Sequence, residues 1–309
     1  MSAAGLQQRR AGLSQGAKQQ QQQQQDGGGA EPEEPAAAPS GLSPRVHNAV
    51  SYAGAALAFS AAVAALRDSG RCAGVFPIDH QRASAPLLQP CELAVVCWML
   101  HFVRRTAESV WLHRYSQPTV PIFDTVTEYL YYWGFAAWIA HAVVCTDTAA
   151  ATATSGGASW SAAQLAGGGL WLLAECGNCY VHVQLARLRP PATPAAAAAV
   201  PATSSRLKLP EGACFALVSF PHYLCEISSW LGWNLMVGLP QDALNADTWR
   251  SDPMSAISGW SGVLFACVGG AIMAGWADEK HCKMRDHFDG KEGRPVFPAQ
   301  RKRIIPFIF

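Results

Sequence analysis

The chain has 309 residues, half of them hydrophobic and only 15% charged, with a formal net charge of +1. Soluble domains run near a quarter charged, so the balance argues against an ordinary soluble globule. The near-neutral sum gives no electrostatic basis for binding nucleic acid. Eleven Trp and twelve Phe add to a lipid-like composition.

Residues 1–45 read as a disordered, Gln-rich tail. The stretch "KQQQQQQQDGGGAEPEEPAAAP" is low-complexity and buries too little apolar surface to offset its ordering entropy. No apolar h-region precedes it, so no cleavable signal peptide is expected. Mean hydropathy over the whole chain is only slightly positive because this tail dilutes the rest.

Residues 46–309 read as one all-α, polytopic membrane domain. A bilayer-crossing helix needs about 20 mostly apolar residues. Six segments meet or approach that length: Val46–Leu66, Leu87–Val103, Tyr129–Cys145, Leu165–Leu188, Ala213–Leu239 and Ile257–Ala277. A seventh, broken or re-entrant helix is left open around Gln241–Ser255. With six crossings, nineteen of the 23 Lys and Arg fall on one side and four on the other. Lys and Arg favour the cytosol, so both termini are expected there.

The second segment ends in "LHFVRRTAESVWLHRYSQPTVPIF", which places Arg104, Arg105, Glu108, His113 and Arg114 at a cytosolic mouth. Snorkelling accounts for the two adjacent arginines; it accounts less well for Glu108 and His113. The fourth segment carries Glu175, Asn178, His182 and Arg189 at offsets 0, 3, 7 and 14, one stripe of a helix. Helix–helix hydrogen bonding explains part of such a stripe, but ionisable groups at membrane depth usually face a cavity or a partner. In the fifth segment Pro221 is expected to kink the helix, and Tyr223 and Glu226, three apart, are close enough to share a site. The C-terminal stretch "WADEKHCKMRDHFDGKEGRPVFPAQRKRIIPFIF" reads as a positive-inside anchor or as a lid whose Arg and Lys meet phosphates.

Several chemistries lack their motifs. There is no G-x-G-x-x-G, P-loop, H-E-x-x-H or G-x-S-x-G, and histidines do not cluster as a diiron site requires. The single CxxC, Cys176 to Cys179, lies in an apolar run and suits helix packing better than zinc. No metal is expected.

Read together, "LHFVRRTAESVWLHRYSQPTVPIF", "YYWGFAAWIAH", "GNCYVHVQLARLRP", "LVSFPHYLCEISSWLGW", "WADEKHCKMRDHF" and "RIIPFIF" resemble, in this order, the membrane trans-2-enoyl-CoA reductases of very-long-chain fatty acid elongation. Those enzymes are part of the steroid 5α-reductase superfamily. The resemblance implies a superfamily-like helix bundle, NADPH as reductant and the endoplasmic reticulum membrane. It implies saturation of the 2,3 double bond of a long-chain trans-2-enoyl-CoA, the last step of the elongation cycle. Other elongase-complex enzymes would be partners alongside the bilayer and the substrate.

It also implies roles. Tyr223 of "PHY" is the proton or oxyanion donor, and Glu226 orients it or the cofactor amide. Arg104 stands at a position where the family usually has Lys; Arg keeps the charge but is no proton source. Asn178, His182 and Arg189 fall on the cofactor-binding stripe, and His222, His281 and Arg303 are further cofactor-binding candidates. Arg105, Glu108, His113 and Arg114 match the K-R-x-x-E and H-R pieces and meet the substrate. His222 stands where the family has Asn, and Met284 where a Tyr is usual. The Gln-rich tail takes the place of the ubiquitin-like region of many animal members. A sterol, steroid or polyprenol reductase of the same superfamily, or an inactive membrane scaffold, are the alternatives. A transporter would be expected to show an internal repeat, and none is seen.

Overall fold

The computed structural model describes residues 41–68, 90–115, 119–153, 160–188, 208–238, 249–250 and 253–309. The Gln-rich tail through residue 40, and Arg189 with it, lie outside the described residues. The elements are β1 (Gly41–Leu42), α1 (Pro44–Asp68), α2 (Pro90–Ala107) with a π turn (Glu108–Leu112), β2 (Val120–Pro121), α3 (Ile122–Ala153), α4 (Ala162–Leu188), a 3-10 turn (Ala213–Phe215), α5 (Pro221–Val237), α6 (Pro253–Ser258) and α7 (Ser261–His287).

The chain is mostly helical among the described residues, and its helices start where backbone chemistry favours them. Pro44, Pro90 and Pro221 occupy first positions, where the missing N–H leaves nothing unsatisfied. Ser43 Oγ accepts from Val46 N at 3.3 Å and caps α1. The proline at 221 corrects the expected kink: α5 begins there rather than bending there. Residues 217–220 are not helical and pair with the C-terminal segment. Ser219 N donates to Lys302 O at 2.8 Å, Phe220 N to Arg303 O at 3.0 Å, and Lys302 N to Leu217 O at 2.7 Å. The expected span Ala213–Leu239 shortens accordingly. α3 in turn runs beyond the expected Tyr129–Cys145 at both ends.

Partner residues fix the helix directions. His47 and Ser51 of α1 meet Glu128 of α3, and Ser51 O accepts from Trp133 Nε1 at 3.0 Å; both numbers rise together, so α1 and α3 run parallel. His101 and Arg105 of α2 meet Glu175 and His182 of α4 in the same sense. α4 and α5 are antiparallel, with Gly167 beside Gly232 and Asn178 beside His222. α5 and α7 are antiparallel too, from Asn234 beside Gly262 to Tyr223 beside Lys280. α2 opposes α5, since Ala94 O accepts from Trp233 Nε1 while His101 meets Glu226. So α1, α3 and α5 point one way and α2, α4 and α7 the other.

Two features hold the bundle. A Cβ built on Gly232 would sit 2.6 Å from Trp171 N, and one on Gly167 2.7 Å from Gly232 O; only hydrogen at these positions lets the two backbones touch. Elsewhere Trp98, fully buried, gathers rings from four helices: Phe59 at 5.1 Å, Phe102 at 4.8 Å, Trp230 at 5.3 Å, Trp233 at 5.7 Å and Phe265 at 5.7 Å between centroids, in the tilted and offset geometries aromatic quadrupoles favour.

By length and composition, two stretches among the described residues qualify to cross a membrane, Pro44–Leu66 and Ala256–His287. Of the other long helices, α2, α4 and α5 carry polar side chains that meet one another. Of the open region at Gln241–Ser255, the described part contributes Trp249–Arg250 and the start of the short α6.

Candidate active site

The site grows from one stripe of α2. His101, Arg104, Arg105 and Glu108 sit at offsets 0, 3, 4 and 7, so an α-helix presents them together. At Glu108 the helix widens into the π turn, closed by His113 N donating to Glu108 O at 2.7 Å. π turns of this kind recur at functional sites; here the wider turn carries Glu108 and Ser109 into the bundle, where both are buried.

The stripe of α4 faces it. Arg104 Nε donates to Glu175 Oε2 at 2.8 Å, its Nη1 donates to Asn178 Oδ1 at 3.1 Å, and it also pairs with Glu108. Arg105 Nη1 lies 2.9 Å from Glu108 Oε2, and its Nη2 donates to Tyr52 Oη at 3.0 Å. His182 Nδ1 lies 2.8 Å from Glu108 Oε2 and 3.0 Å from Arg105 Nη1. α5 closes the third side. His101 lies 2.8 Å from Glu175 Oε1 through Nδ1 and 3.2 Å from Glu226 Oε1 through Nε2. Asn178 Nδ2 donates to His222 O at 2.8 Å and lies 3.2 Å from Glu226 Oε2. Glu108 and Glu175 thus meet two guanidiniums, and the His101 imidazole is shared by Glu175 and Glu226. Each carboxylate has several partners, the condition under which buried charge is tolerated.

Glu108 and His113 lie past the end of the second apolar segment. Burial works against the charged form of Glu108, but the His182 hydrogen bond and the Arg105 guanidinium outweigh it and hold the carboxyl well below the usual range. For His113, burial and then the Arg105 charge push the imidazole down to about 3, so it is neutral near pH 7. Arg114 is exposed.

A second group lies at the start of α5. Tyr223 is half-buried, its ring 5.6 Å from Phe220 and 4.3 Å from His222, and Lys280 Nζ of α7 donates to its hydroxyl at 3.0 Å. Tyr223 and Glu226 therefore face different partners, Lys280 for one and His101 with Asn178 for the other. His281 Nδ1 lies 2.9 Å from Ser219 Oγ, and Arg303 pairs with Asp278. His222 joins the two groups: its ring is 5.6 Å from His182 and 4.3 Å from Tyr223. Its Nδ1 is buried with no hydrogen-bond partner among the described residues.

Of the sequence-derived candidates, Arg104, Arg105, Glu108, His113, Asn178, His182, His222 and Glu226 come together, and Tyr223 sits at their edge. His281 and Arg303 lie on the C-terminal side. The sequence reading missed His101, Tyr52 and Lys280. His101 was visible as the first member of the α2 stripe. The arginine partner of Tyr52 is far away in the chain, and Lys280 is hidden among seven other basic residues of the C-terminal segment.

Glu108, His113 and His182 bring one ligand atom each within 4.8 Å of one another. Arg105 lies against both Glu108 and His182, so a metal cation there would meet a guanidinium at two of its three ligands. The donor set suits a shared proton better than a metal. A dinucleotide fits better: the unpartnered Nδ1 of His222 and the buried, unpartnered Nε and Nη1 of Arg301 offer polar contacts on the side where His281 and Arg303 lie.

Residues 119–244 match the family model described as 3-oxo-5-alpha-steroid 4-dehydrogenase. A Dictyostelium discoideum protein named very-long-chain enoyl-CoA reductase is 30% identical over 220 residues, covering 70% of this chain and 58% of that protein. The chain is similar to very-long-chain enoyl-CoA reductases. A Caenorhabditis elegans protein, "Probable very-long-chain enoyl-CoA reductase art-1", is 30% identical over 237 residues, 75% of this chain and 64% of its own length. A human protein named trans-2,3-enoyl-CoA reductase-like is 28% identical over 159 residues, 51% of this chain and 40% of its own. The chain thus spans about three fifths of the first two relatives. These matches agree with the resemblance carried by the ordered motifs.

Proposed function

We propose that this chain reduces the 2,3 double bond of very-long-chain trans-2-enoyl-CoA with NADPH, as the last step of the elongation cycle in the endoplasmic reticulum membrane. The observation that carries the reading is the convergence of α2, α4 and α5 on one buried charged cluster with the Tyr223 hydroxyl at its edge. That convergence occurs in a chain similar to proteins named for this reaction.

A bound reduced nicotinamide would supply hydride to C3 of the substrate. The chain's own residues do the rest. Tyr223 is placed to deliver a proton toward C2, and general acids of this kind contribute 10²–10⁴-fold. Arg104 and Arg105, fixed by Glu175 and Glu108, would offer guanidinium N–H groups to the thioester oxygen as it gains charge. Asn178 and His182 hold that frame from α4, and Glu226 anchors α5 against it through His101. His222, His281, Arg303 and, outside the described residues, Arg189 would hold the dinucleotide, while His113 and Arg114 at the mouth would face the CoA phosphates.

The alternating helix directions and the basic surplus on one side support six crossings with both termini cytosolic. Other elongase-complex enzymes would dock on the same membrane face.

The test is NADPH consumption by the full chain in lipid nanodiscs with a long trans-2-enoyl-CoA, wild type beside Tyr223→Phe. Turnover that falls by about 100-fold or more in the variant supports the reaction and the role of Tyr223. Retained turnover moves the proton donor elsewhere.

One observation favours a second reading, the match of residues 119–244 to a steroid reductase model. A substrate panel of 3-oxo-4-ene steroids and polyprenals decides between them. A chain that binds no NADPH and turns over none of these is the inactive scaffold.

A further inference from the structure

We infer that Lys280 is a positioning residue that acts through Tyr223, aiming the tyrosine's proton and neutralising the oxygen left when that proton goes. The inference rests on the reading of Tyr223 as proton donor.

Lys280 lies one turn after Trp276 on α7. Its ammonium donates to Tyr223 Oη at 3.0 Å and lies 5.6 Å from the centroids of both the Tyr223 and the Trp276 rings. The neighbouring charges are used elsewhere. Glu279 pairs with Lys283 at 2.5 Å, Asp278 pairs with Arg303, and Glu226 is held by His101 and Asn178. His281 on the same helix faces Ser219, and the His222 ring on α5 lies 4.3 Å from that of Tyr223. Lys280 is thus the cation left facing the phenol.

The chemistry follows from the donor count. An ammonium has three hydrogens and no acceptor, so in this bond the phenol oxygen accepts. Tyr223's own O–H is then left free to donate to a substrate. In the reaction the C2–C3 π bond breaks, C3 gains hydride from a reduced nicotinamide, and C2 gains the proton from Tyr223 Oη. The phenolate that remains already faces a cation, a charge-assisted bond stronger than the neutral one it replaces. Interactions that strengthen as charge develops accelerate the step. Lys280 is exposed, as is its bond to Tyr223, so the phenolate regains its proton from water while the ammonium keeps its charge.

The experiment compares wild type, Lys280→Met, Lys280→Arg, Tyr223→Phe and the Lys280→Met/Tyr223→Phe double variant, each as full chain in nanodiscs. Steady-state kinetics use a long trans-2-enoyl-CoA, and NADPH binding is followed by nucleotide fluorescence. Lys280→Met is expected to lower kcat by about 10- to 100-fold, the size of one hydrogen bond to a charged group, with KM and NADPH binding unchanged. Lys280→Arg, which keeps charge and donors, recovers most of the loss. The double variant is no slower than Tyr223→Phe, because residues acting as a unit are non-additive. Wild-type kcat in Lys280→Met beside an inactive Tyr223→Phe overturns the inference and leaves the role of Tyr223 standing. So does a loss confined to KM or NADPH binding, or one that adds to that of Tyr223→Phe. An active Tyr223→Phe removes both. A wild type inactive on the enoyl-CoA is carried to the steroid and polyprenal substrates, and inactivity on all three removes the reductase reading with it.

Discussion

The two halves of the site are built on opposite plans. On the α2–α4–α5 side every carboxylate has two or more partners, and Glu108, Glu175, Asn178, His182 and His101 are all buried. On the α5–α7 side the groups work in pairs: Ser219 with His281 is buried, while Tyr223 with Lys280 and Asp278 with Arg303 lie at half-buried or exposed positions. The closed half resembles a frame and the open half a working edge. A network in low dielectric is costly to disturb because each loss leaves an unpaired charge. An exposed pair can form and release without such a cost.

The largest expected effect breaks the frame. Glu175→Ala strips His101 and Arg104 of a shared carboxylate and leaves their buried N–H donors without that acceptor. Removing one partner of a buried pair typically destabilises by about 3–5 kcal/mol. The midpoint of chemical or thermal unfolding in nanodiscs should fall accordingly, and an unchanged midpoint would mean that water or lipid headgroups already solvate the cluster. Arg104→Lys tests the same frame through function. A single ammonium does not reproduce a fork that reaches Glu175, Glu108 and Asn178 at once, so turnover should fall.

Gly232→Ala comes next. Its methyl carbon would lie 2.6 Å from Trp171 N and 3.0 Å from Trp171 Cα, backbone atoms that move only if α4 and α5 separate. Overpacking of this kind costs about 1–3 kcal/mol. Because those helices carry Asn178 and Glu226, a loss of kcat should accompany the loss of stability.

These contrasts also mark what the sequence discloses. The six apolar segments, the α4 stripe and the basic mouth were legible because period and charge are local properties. The start of α5 was not. Residues 213–220 are apolar enough to read as helix, but residues 217–220 spend their hydrogen bonds on Lys302 and Arg303, more than 80 positions on. With that stretch removed, Pro221 becomes a first residue rather than a kink. His101 was legible in principle, at helical spacing from Arg104 and Glu108, yet a lone histidine in an apolar run looks like core until Glu175 and Glu226 are placed beside it. Lys280 was illegible because a lysine near the end of an apolar segment is what the positive-inside pattern predicts anyway.

Acid should loosen the mouth of the frame before its centre. His113 is pushed from 6.5 down to about 3, so between those values the unfolded chain binds a proton that the folded chain does not. Stability then falls as pH drops below about 6.5. Glu108 has the same sign: its lowered carboxyl stays ionised in the fold while the unfolded one protonates below its ordinary 4.5. Unfolding temperature should therefore be lower at about pH 5 than at about pH 7. His113→Gln, which does not titrate, should shrink that difference. A profile unaltered by His113→Gln would assign the acid sensitivity to other groups.

The smallest expected effect lies on the working edge. Asp278 is about half exposed, at 54%, and its partner Arg303 is 29% exposed, so their ion pair is screened and contributes about 0–1 kcal/mol. Asp278→Asn should leave the unfolding midpoint nearly unchanged. It also frees the Arg303 guanidinium, which the proposed function assigns to the dinucleotide. If Arg303 serves that role, NADPH should bind as well or better in the variant, with a steeper dependence on salt because one more unpaired cation faces the phosphates. Weaker NADPH binding at unchanged stability would mean that Asp278 holds Arg303 in its binding pose, and the open edge would then be preorganised in the same manner as the frame.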